Sequence, residues 1–292
     1  MEGLILRGIG SFYTVKASGT NELHTLRAQK KLRRCGLTPT IGDHVAFIPA
    51  KDGEEGWIEA VLPRKNLLKR PPLANMDLMI GVIAPIPEPD LLLMERLILQ
   101  TKRAGAEAIL CVNKIDTGRT LLFRMAEEFR DTGIPVYGVS AATGEGIPAI
   151  RARIEGNIAC LAGQSAVGKS SLINALTGLT LETSGVSQRI NRGRHTTRQC
   201  ELIEIENGYL ADTPGFSLFD LDEDVFPEEL AVLYEEYDAL SGECRFQPCL
   251  HDREPGCAVR KAIEKGQLSV ERHQRYRILL SEARQNRKER YT

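Results

Sequence analysis

The stretch 163–171 constrains the fold more than any other part of the chain, because it reads GQSAVGKSS and matches the pattern GxxxxGK[ST]. The glycines let successive backbone N–H groups turn inward around an anion, and Lys169 adds a mobile positive charge. The Ser170 hydroxyl can ligate Mg²⁺. An apolar run at 158–162 predicts a buried strand before the loop, and residues 172–176 begin a helix after it. Together they predict a phosphate-binding α/β domain.

The composition is that of an ordinary globular protein that is long enough for two or three domains. The chain has 292 residues, of which 42% are hydrophobic and 26% charged. No stretch approaches the roughly 18 consecutive apolar residues of a membrane span, and the N-terminus lacks a signal-peptide layout. We therefore expect a cytoplasmic protein with reduced thiols and no membrane association.

The net charge of −1 hides two basic ends around an acidic middle. Residues 1–70 carry 12 Lys or Arg against 7 Asp or Glu, whereas residues 71–257 carry 16 against 28. Residues 258–292 return to 10 against 4, and they show helical spacing. Basic ends indicate a polyanionic partner such as nucleic acid, and the alternative is ordinary solvated charge.

The first 68 residues predict a small β-barrel. Short β segments occur at 4–6, 11–15, 23–26, 44–48 and 56–61, separated by turn residues. This pattern suits an OB-fold, and the basic run 30–34 would be a loop that contacts RNA. A purely structural barrel is the alternative. The stretch 64–72 is interpreted as the linker that leaves the barrel.

Alternating strands and helices follow, which predicts a parallel sheet. Strands are expected at 78–84, 108–112 and 136–139, and helices at 90–104 and around 119–131.

The second of these strands runs into the sequence NKxD at Asn113, Lys114 and Asp116. A carboxylate at Asp116 can accept both the N1–H and the exocyclic amine of guanine, whereas adenine would leave it unpaired, at a high cost. Asn113 would tie the loop together and the stem of Lys114 would cover the ring face. Ser140 and Ala141, after the third strand, would close the other side of the base.

After the phosphate loop, the polar stretch 183–199 contains Thr196 and Thr197, either of which could complete the Mg²⁺ shell; Thr197 is our choice. Two strands at 201–205 and 208–211 then lead to DxxG. There Asp212 would hold Mg²⁺, directly or through water, and the Gly215 N–H would sense the γ-phosphate. Loss of that phosphate would release both segments.

A cysteine and histidine cluster lies within 14 residues near the C-terminus, at Cys244, Cys249, His251 and Cys257. These four ligands suit a closed tetrahedral structural Zn²⁺ site, which would supply much of the local stability. The alternatives are disulfides, which are disfavoured in the cytosol, and unrelated buried thiols.

NKxD, SA, GxxxxGKS, Thr and DxxG are the five parts of a guanine-nucleotide GTPase, and here they occur in rotated order. The sequence therefore resembles the circularly permuted GTPases. With its N-terminal barrel, GRHTT, DTPGF and the Cys/His cluster, it is similar to the RsgA family (YjeQ, YloQ) of small-ribosomal-subunit-dependent GTPases. The resemblance covers nearly the whole chain. We expect an OB-fold RNA-binding domain at 1–68, a permuted GTPase domain at 69–219 and a mostly helical zinc-binding domain at 220–292.

The resemblance implies hydrolysis of GTP that is stimulated by the small ribosomal subunit, during late assembly of that subunit. Many GTPases carry a glutamine just after DxxG that orients the attacking water, whereas this chain has Phe216 there, which cannot do so. The resemblance implies that His195 has this water-orienting role. A monomer that binds GTP or GDP and rRNA is expected. One alternative is a nucleotide-gated rRNA-binding protein in which hydrolysis is incidental. Another is an ATPase or kinase, against which NKxD argues.

The complete set of expected GTP-binding residues is Asn113, Lys114, Asp116, Ser140, Ala141, Gly163, Gln164, Ser165, Ala166, Val167, Gly168, Lys169, Ser170, Ser171, Asp212 and Gly215. The magnesium ligands would be Ser170, Thr197 and Asp212.

Overall fold

The computed structural model describes residues 1–20, 22–34, 36–51, 55–69, 72–178, 201–212 and 225–290. None of the helices within these ranges combines the length and the hydropathy that a membrane span requires.

Five strands at the N-terminus form a closed barrel. They are β1 (Glu2–Ile9), β2 (Phe12–Ala17), β3 (Leu23–Ala28), β4 (His44–Ile48) and β5 (Gly56–Val61). The sheet runs β1-β2-β3-β5-β4, and β4 pairs back onto β1 to close it. Alternate residues such as Ile5, Val15 and Phe47 point inward and are buried. The predicted OB-like barrel is confirmed. The basic run is not the expected loop, because it forms the one-turn helix α1 (Lys30–Arg34).

Described residues of the segment predicted as a linker instead contribute strands to a hairpin. Strands β6 (Leu67–Lys69) and β7 (Pro72–Ala74) pair in antiparallel fashion. The Ala74 N–H donates to the Ile41 carbonyl at 2.9 Å, and the buried Asn75 Nδ2 donates to the Gly42 carbonyl at 2.8 Å. These bonds to the turn before β4 fix the hairpin against the barrel.

The central sheet has strands β8 (Leu78–Ile83), β9 (Glu107–Val112), β10 (Val136–Gly138), β11 (Ile158–Ala162), β12 (Glu201–Ile205) and β13 (Gly208–Asp212). Its order is β10-β9-β8-β11-β13-β12, and all neighbours are parallel except β12 and β13. β12 also pairs with β1 of the barrel, with Arg7 opposite Glu201, so the two sheets are continuous.

Helices cover both faces of this sheet, as continuous apolar strands require. They are α2 (Leu91–Arg103), α3 (Thr120–Glu128), α4 (Ile147–Ile154) and α5 (Lys169–Thr177). Met79 and Ile83 of β8 pack in the core that includes α2 and α3 residues, whereas Ile80 and Val82 pack in the core that includes α4 and α5 residues. The predicted α/β domain is confirmed.

The C-terminal region is helical, as predicted, with α6 (Pro227–Leu233), α7 (Glu235–Ser241), α8 (Ala258–Glu264) and α9 (Val270–Arg290). Its core holds three fully buried tyrosines, Tyr234, Tyr237 and Tyr276, whose rings lie 5.0–5.1 Å apart. The domain boundaries at 68 and 219 stay predictions.

Candidate functional site

Asn113 joins three loops at the carboxyl edge of the central sheet. It follows directly after β9 and only 1% of its surface is exposed. Its Nδ2 donates to the Val167 carbonyl of the phosphate loop at 3.0 Å, and its Oδ1 accepts from the Ala141 N–H at 3.2 Å. The parallel strands bring these loops together because their carboxyl ends share one edge. Asn113 therefore connects the loops of the site, in the position that the sequence analysis predicted.

Lys114 adds a second connection to the same loops. Its backbone is left-handed, with φ of 63°, and its Nζ donates to the Ile86 carbonyl at 2.7 Å and to the Ala166 carbonyl at 3.0 Å. Asp116 lies in the short 3₁₀ turn Ile115–Thr117 with an exposed side chain. Its carboxylate is therefore accessible to a ligand.

Ser140 is buried and shapes the loop rather than facing solvent. Its Oγ accepts from the Thr143 N–H at 3.1 Å, and its N–H donates to the Glu145 carbonyl at 2.9 Å. Ala141 is half-buried beside it, and its N–H meets Asn113.

The phosphate loop connects β11 to α5, as predicted. Gly163 has φ of +139°, and a Cβ there would lie 2.2 Å from the Val82 carbonyl oxygen. Gly168 has φ of +94°, and a Cβ there would lie 2.5 Å from Asn113 Nδ2. Both glycines are required by backbone conformation and by close approach. Helix α5 begins at Lys169, and the first amides of a helix have no acceptor within the helix, so these amides and the helix dipole favour an anion at the loop.

The Lys169 ammonium lies inside the loop. Its Nζ donates to the Gly163 and Gln164 carbonyls, both at 2.7 Å. Burial lowers the pKa of Lys169 to about 8, because the charged form loses solvation. An anion bound at the loop would stabilise that charge.

Two of the three predicted magnesium ligands, Ser170 and Asp212, are among the described residues, and both lie at the carboxyl edge of the central sheet. Ser170 is exposed in the first turn of α5. Asp212 ends β13, whose Ala211 is in register with Cys160 of β11, so both strands finish beside the loop. Ser165, Ala166 and Ser171 lie in or just after the loop. His195, Thr197 and Gly215 lie outside the described residues.

The four predicted zinc ligands converge. Their candidate ligand atoms all lie within 4.8 Å of one another. Cys244 Sγ is 4.0 Å from Cys257 Sγ and 3.7 Å from His251 Nδ1, which is 3.4 Å from Cys257 Sγ. A tetrahedral Zn²⁺ would space two sulfurs about 3.8 Å apart and sulfur and nitrogen about 3.5 Å apart. The cluster fits the ion.

The protonation chemistry of the cluster also fits a cation. Burial raises the pKa of Cys249 to about 12 and also raises that of Cys257, so these thiols would be neutral without a metal. Burial lowers the pKa of His251, which keeps the imidazole neutral, as ligation needs. The Ala258 and Arg260 N–H groups donate to Cys244 Sγ and Cys257 Sγ at 3.3 and 3.5 Å, which would stabilise bound thiolates. Of the remaining cysteines, Cys111 and Cys160 are buried in strands of the central sheet, and Cys35 and Cys200 lie outside the described residues.

Comparison with known proteins agrees with this geometry. The model of the RsgA GTPase family matches residues 61–222, and that of the RsgA N-terminal domain matches residues 2–58. The chain belongs to the RsgA GTPase family. It is 42% identical to the small ribosomal subunit biogenesis GTPase RsgA of Moorella thermoacetica, over 97% of each chain. It is 39% identical to the RsgA protein of a Geobacillus species, over 99% of each.

Two solved structures of this family share the fold. YjeQ from Thermotoga maritima is 30% identical, with a TM-score of 0.81 over 97% of this chain and 98% of that one. YloQ, a circularly permuted GTPase, is 30% identical, with a TM-score of 0.82 over 97% and 95%. The predicted RsgA resemblance and the permuted fold are confirmed. The chain is a GTPase, a class that uses Mg²⁺, and its Cys₃His cluster can hold structural zinc.

One feature of the site and one feature beyond it were missed from sequence. The Gln164 side chain binds backbone groups at 88–90, although the motif leaves that position open. Five charged side chains also converge between the α/β domain and α9, namely Glu95, Glu128, Glu236, Arg272 and Arg275. Charged residues in helices resemble surface residues in sequence, so no signal identified them.

Proposed function

We propose that this protein binds the small ribosomal subunit and hydrolyses GTP when that subunit stimulates it, in late assembly of the subunit. The observation that carries the proposal is the convergence of Asn113, the phosphate loop and Asp212 at one sheet edge. The proposed partner is the small ribosomal subunit, because relatives in this family are named small ribosomal subunit biogenesis GTPases. This work would be done in the cytoplasm by a monomer.

In this proposal the base and the phosphates bind on opposite sides of Asn113. Asp116 would accept from guanine, while Lys114 and Ala141 would flank the ring. Lys169, the loop amides and the N-terminus of α5 would hold the β- and γ-phosphates. Ser170 and Asp212 would ligate Mg²⁺ together with Thr197, and Gly215 would meet the γ-phosphate. His195 would orient the attacking water.

The remaining domains would hold the subunit. The barrel and the zinc-bearing helical domain would each contact rRNA, since the chain is most basic at its two ends. Cys244, Cys249, His251 and Cys257 would bind zinc for structure only, because four protein ligands leave no open position for chemistry. The boundaries near residues 68 and 219 would separate these modules.

The proposal is tested by measuring GTP turnover with added small and large ribosomal subunits in parallel. We expect small subunits to raise kcat and large subunits to leave it unchanged. Small subunits that bind the GTP form without raising turnover would instead support a nucleotide-gated rRNA-binding protein. ATP that competes equally with GTP would contradict the role of Asp116.

A further inference from the structure

Helix α2 belongs to two cores at once. On one side, Met94, Leu97 and Ile98 are buried in the core that α2 shares with the central sheet. On the other side, Leu99 is 3% exposed and packs in the core of the C-terminal helices, with Leu92 partly buried against it. A helix buried on both faces cannot shift against one core without disturbing the other. α2 is therefore a mechanical link between the two domains.

The N-terminus of α2 is held by the phosphate loop. Gln164 Oε1 accepts from the Asp90 N–H at 2.6 Å, and Gln164 Nε2 donates to the Glu88 carbonyl at 2.9 Å. Asp90 is the N-cap of α2, since its Oδ1 accepts from the Leu93 N–H at 2.9 Å. One glutamine side chain thus connects the loop to the first turn of the helix.

About one turn further along, α2 carries the buried acid Glu95. Its Oε1 accepts from Arg272 Nε and Arg275 Nη2, both at 3.1 Å, and its Oε2 accepts from the Tyr234 hydroxyl at 3.3 Å. Arg272 also pairs with Glu236. Burial opposes the charge of Arg272, but the two carboxylates outweigh it and raise the pKa of this guanidinium. Loss of one partner from such a buried set is costly, so these contacts fix α9 relative to α2.

This ionic contact also has room for a second arrangement. A cavity of about 420 Å³ adjoins it, and its walls include Glu236, Arg272 and Thr132. Within the described part of the chain, Arg272 Nη2 and Glu236 Oε2 are buried without a hydrogen-bond partner. Side chains with spare donors and acceptors beside open space can exchange partners without unfolding either domain.

We infer that Gln164 is a positioning residue that couples the nucleotide state of the phosphate loop to the C-terminal domain, through α2 and the Glu95–Arg272 contact. The inference rests on the proposed binding of GTP at that loop. From Asp90 to Glu95 the helix rises only about 7.5 Å, so movement of the loop reaches the ionic contact through one rigid segment. Such coupling is reciprocal. If the nucleotide changes the affinity of the C-terminal domain for a partner by some factor, that partner changes the affinity of the loop for the nucleotide by the same factor.

The test is amide hydrogen exchange across α9 in the full-length zinc-loaded protein, with saturating GDP or a non-hydrolysable GTP analogue. We expect the analogue to slow exchange in the first half of α9 by about fivefold or more relative to GDP. Gln164→Met removes both side-chain hydrogen bonds but keeps the backbone carbonyl that Lys169 contacts. It should abolish this difference when each nucleotide is supplied at a concentration that saturates the variant, whatever its affinity. Gln285→Met is the matched control, because it removes only an exposed bond to Glu289 and should preserve the difference.

Glu95→Gln tests the same coupling from the other end. It should reduce the ratio of analogue affinity to GDP affinity by about the factor seen in exchange. The inference is overturned if bound Gln164→Met retains the wild-type difference, or if bound wild-type protein shows none. Wild-type protein that bound no guanine nucleotide would overturn the proposed function as well, whereas binding without differential exchange overturns this inference alone.

Discussion

Replacing Asn113 by alanine removes the side chain that holds the loops of the candidate nucleotide site together. The bonds to the Val167 carbonyl and the Ala141 N–H are both lost. Asn113 is almost fully buried, so water does not freely replace them. The change therefore leaves a backbone acceptor on one loop and a backbone donor on another without their partner.

The expected cost follows from these two groups. A buried polar group left without its partner costs about 1–3 kcal/mol, so the pair costs about 2–6 kcal/mol in the free energy of unfolding. A domain of about 150 residues loses about 2–4 °C in Tm per kcal/mol, so the expected fall in Tm is roughly 4–24 °C. GTP affinity should fall at least tenfold, about 1.4 kcal/mol, because the base-side loops are no longer aligned with the phosphate loop.

Thermal unfolding by circular dichroism and titration with a fluorescent GTP analogue measure the two effects. Asn113→Asp keeps an acceptor for the Ala141 N–H but cannot donate to Val167, so it should lose affinity as well. Asn157→Ala is the matched control, because it removes an asparagine bond to the Arg153 carbonyl away from the site. A Tm within about 1 °C and an affinity within about twofold of wild type for Asn113→Ala would refute this reasoning.

Three further predictions concern the lysine, the metal and the histidine. A triphosphate should raise the lowered pKa of Lys169, so GTP binding near pH 8 should take up about half a proton and almost none near pH 6. Calorimetry in buffers of different ionisation enthalpy measures this uptake, and Lys169→Arg should abolish it. Cys257→Ser should lose zinc and the fold of the C-terminal helices, because metal binding of about 10 kcal/mol rivals the stability of a whole domain. Metal analysis checks this, and Cys160→Ser should retain zinc. His195→Ala should keep GTP binding but lower subunit-stimulated turnover by about 10²-fold; unchanged turnover would contradict the assignment.

The parts of the fold that could be predicted from sequence are those with a local residue pattern. All five barrel strands were predicted because each is a short β-forming segment bounded by turn residues. Within such a segment, as at Val45 and Phe47, every second side chain is buried. The central strands were predicted because both their faces are buried, which produces continuous apolar runs. The zinc ligands were predicted because metal spacing is local. Helix α1 was missed because its five residues, KKLRR, contain a single apolar residue. Without a periodic pattern of apolar residues, a helical turn cannot be distinguished from a loop.

Contacts between distant segments were not accessible from sequence. Glu95 and Arg272 are 177 positions apart, and each occurs in a helix where a charged residue normally faces solvent. Their burial depends on the position of α2 between two hydrophobic cores. No local periodicity of hydrophobic residues in the sequence indicates that position. The hairpin β6–β7 was missed for a similar reason, since its stability depends on bonds to Ile41 and Gly42 in the barrel.

The pairing of β1 with β12 limits how independently the barrel can behave. Arg7 is opposite Glu201, and Glu201 follows His195 by only six residues. Six residues span at most about 22 Å even when fully extended. The barrel thus pairs with a strand whose first residue, Glu201, is separated from the predicted water-orienting histidine by only this short length of chain. If RNA binds the barrel as proposed, any displacement of the barrel would move Glu201 through this strand pairing, and the covalent chain alone would connect that displacement to position 195.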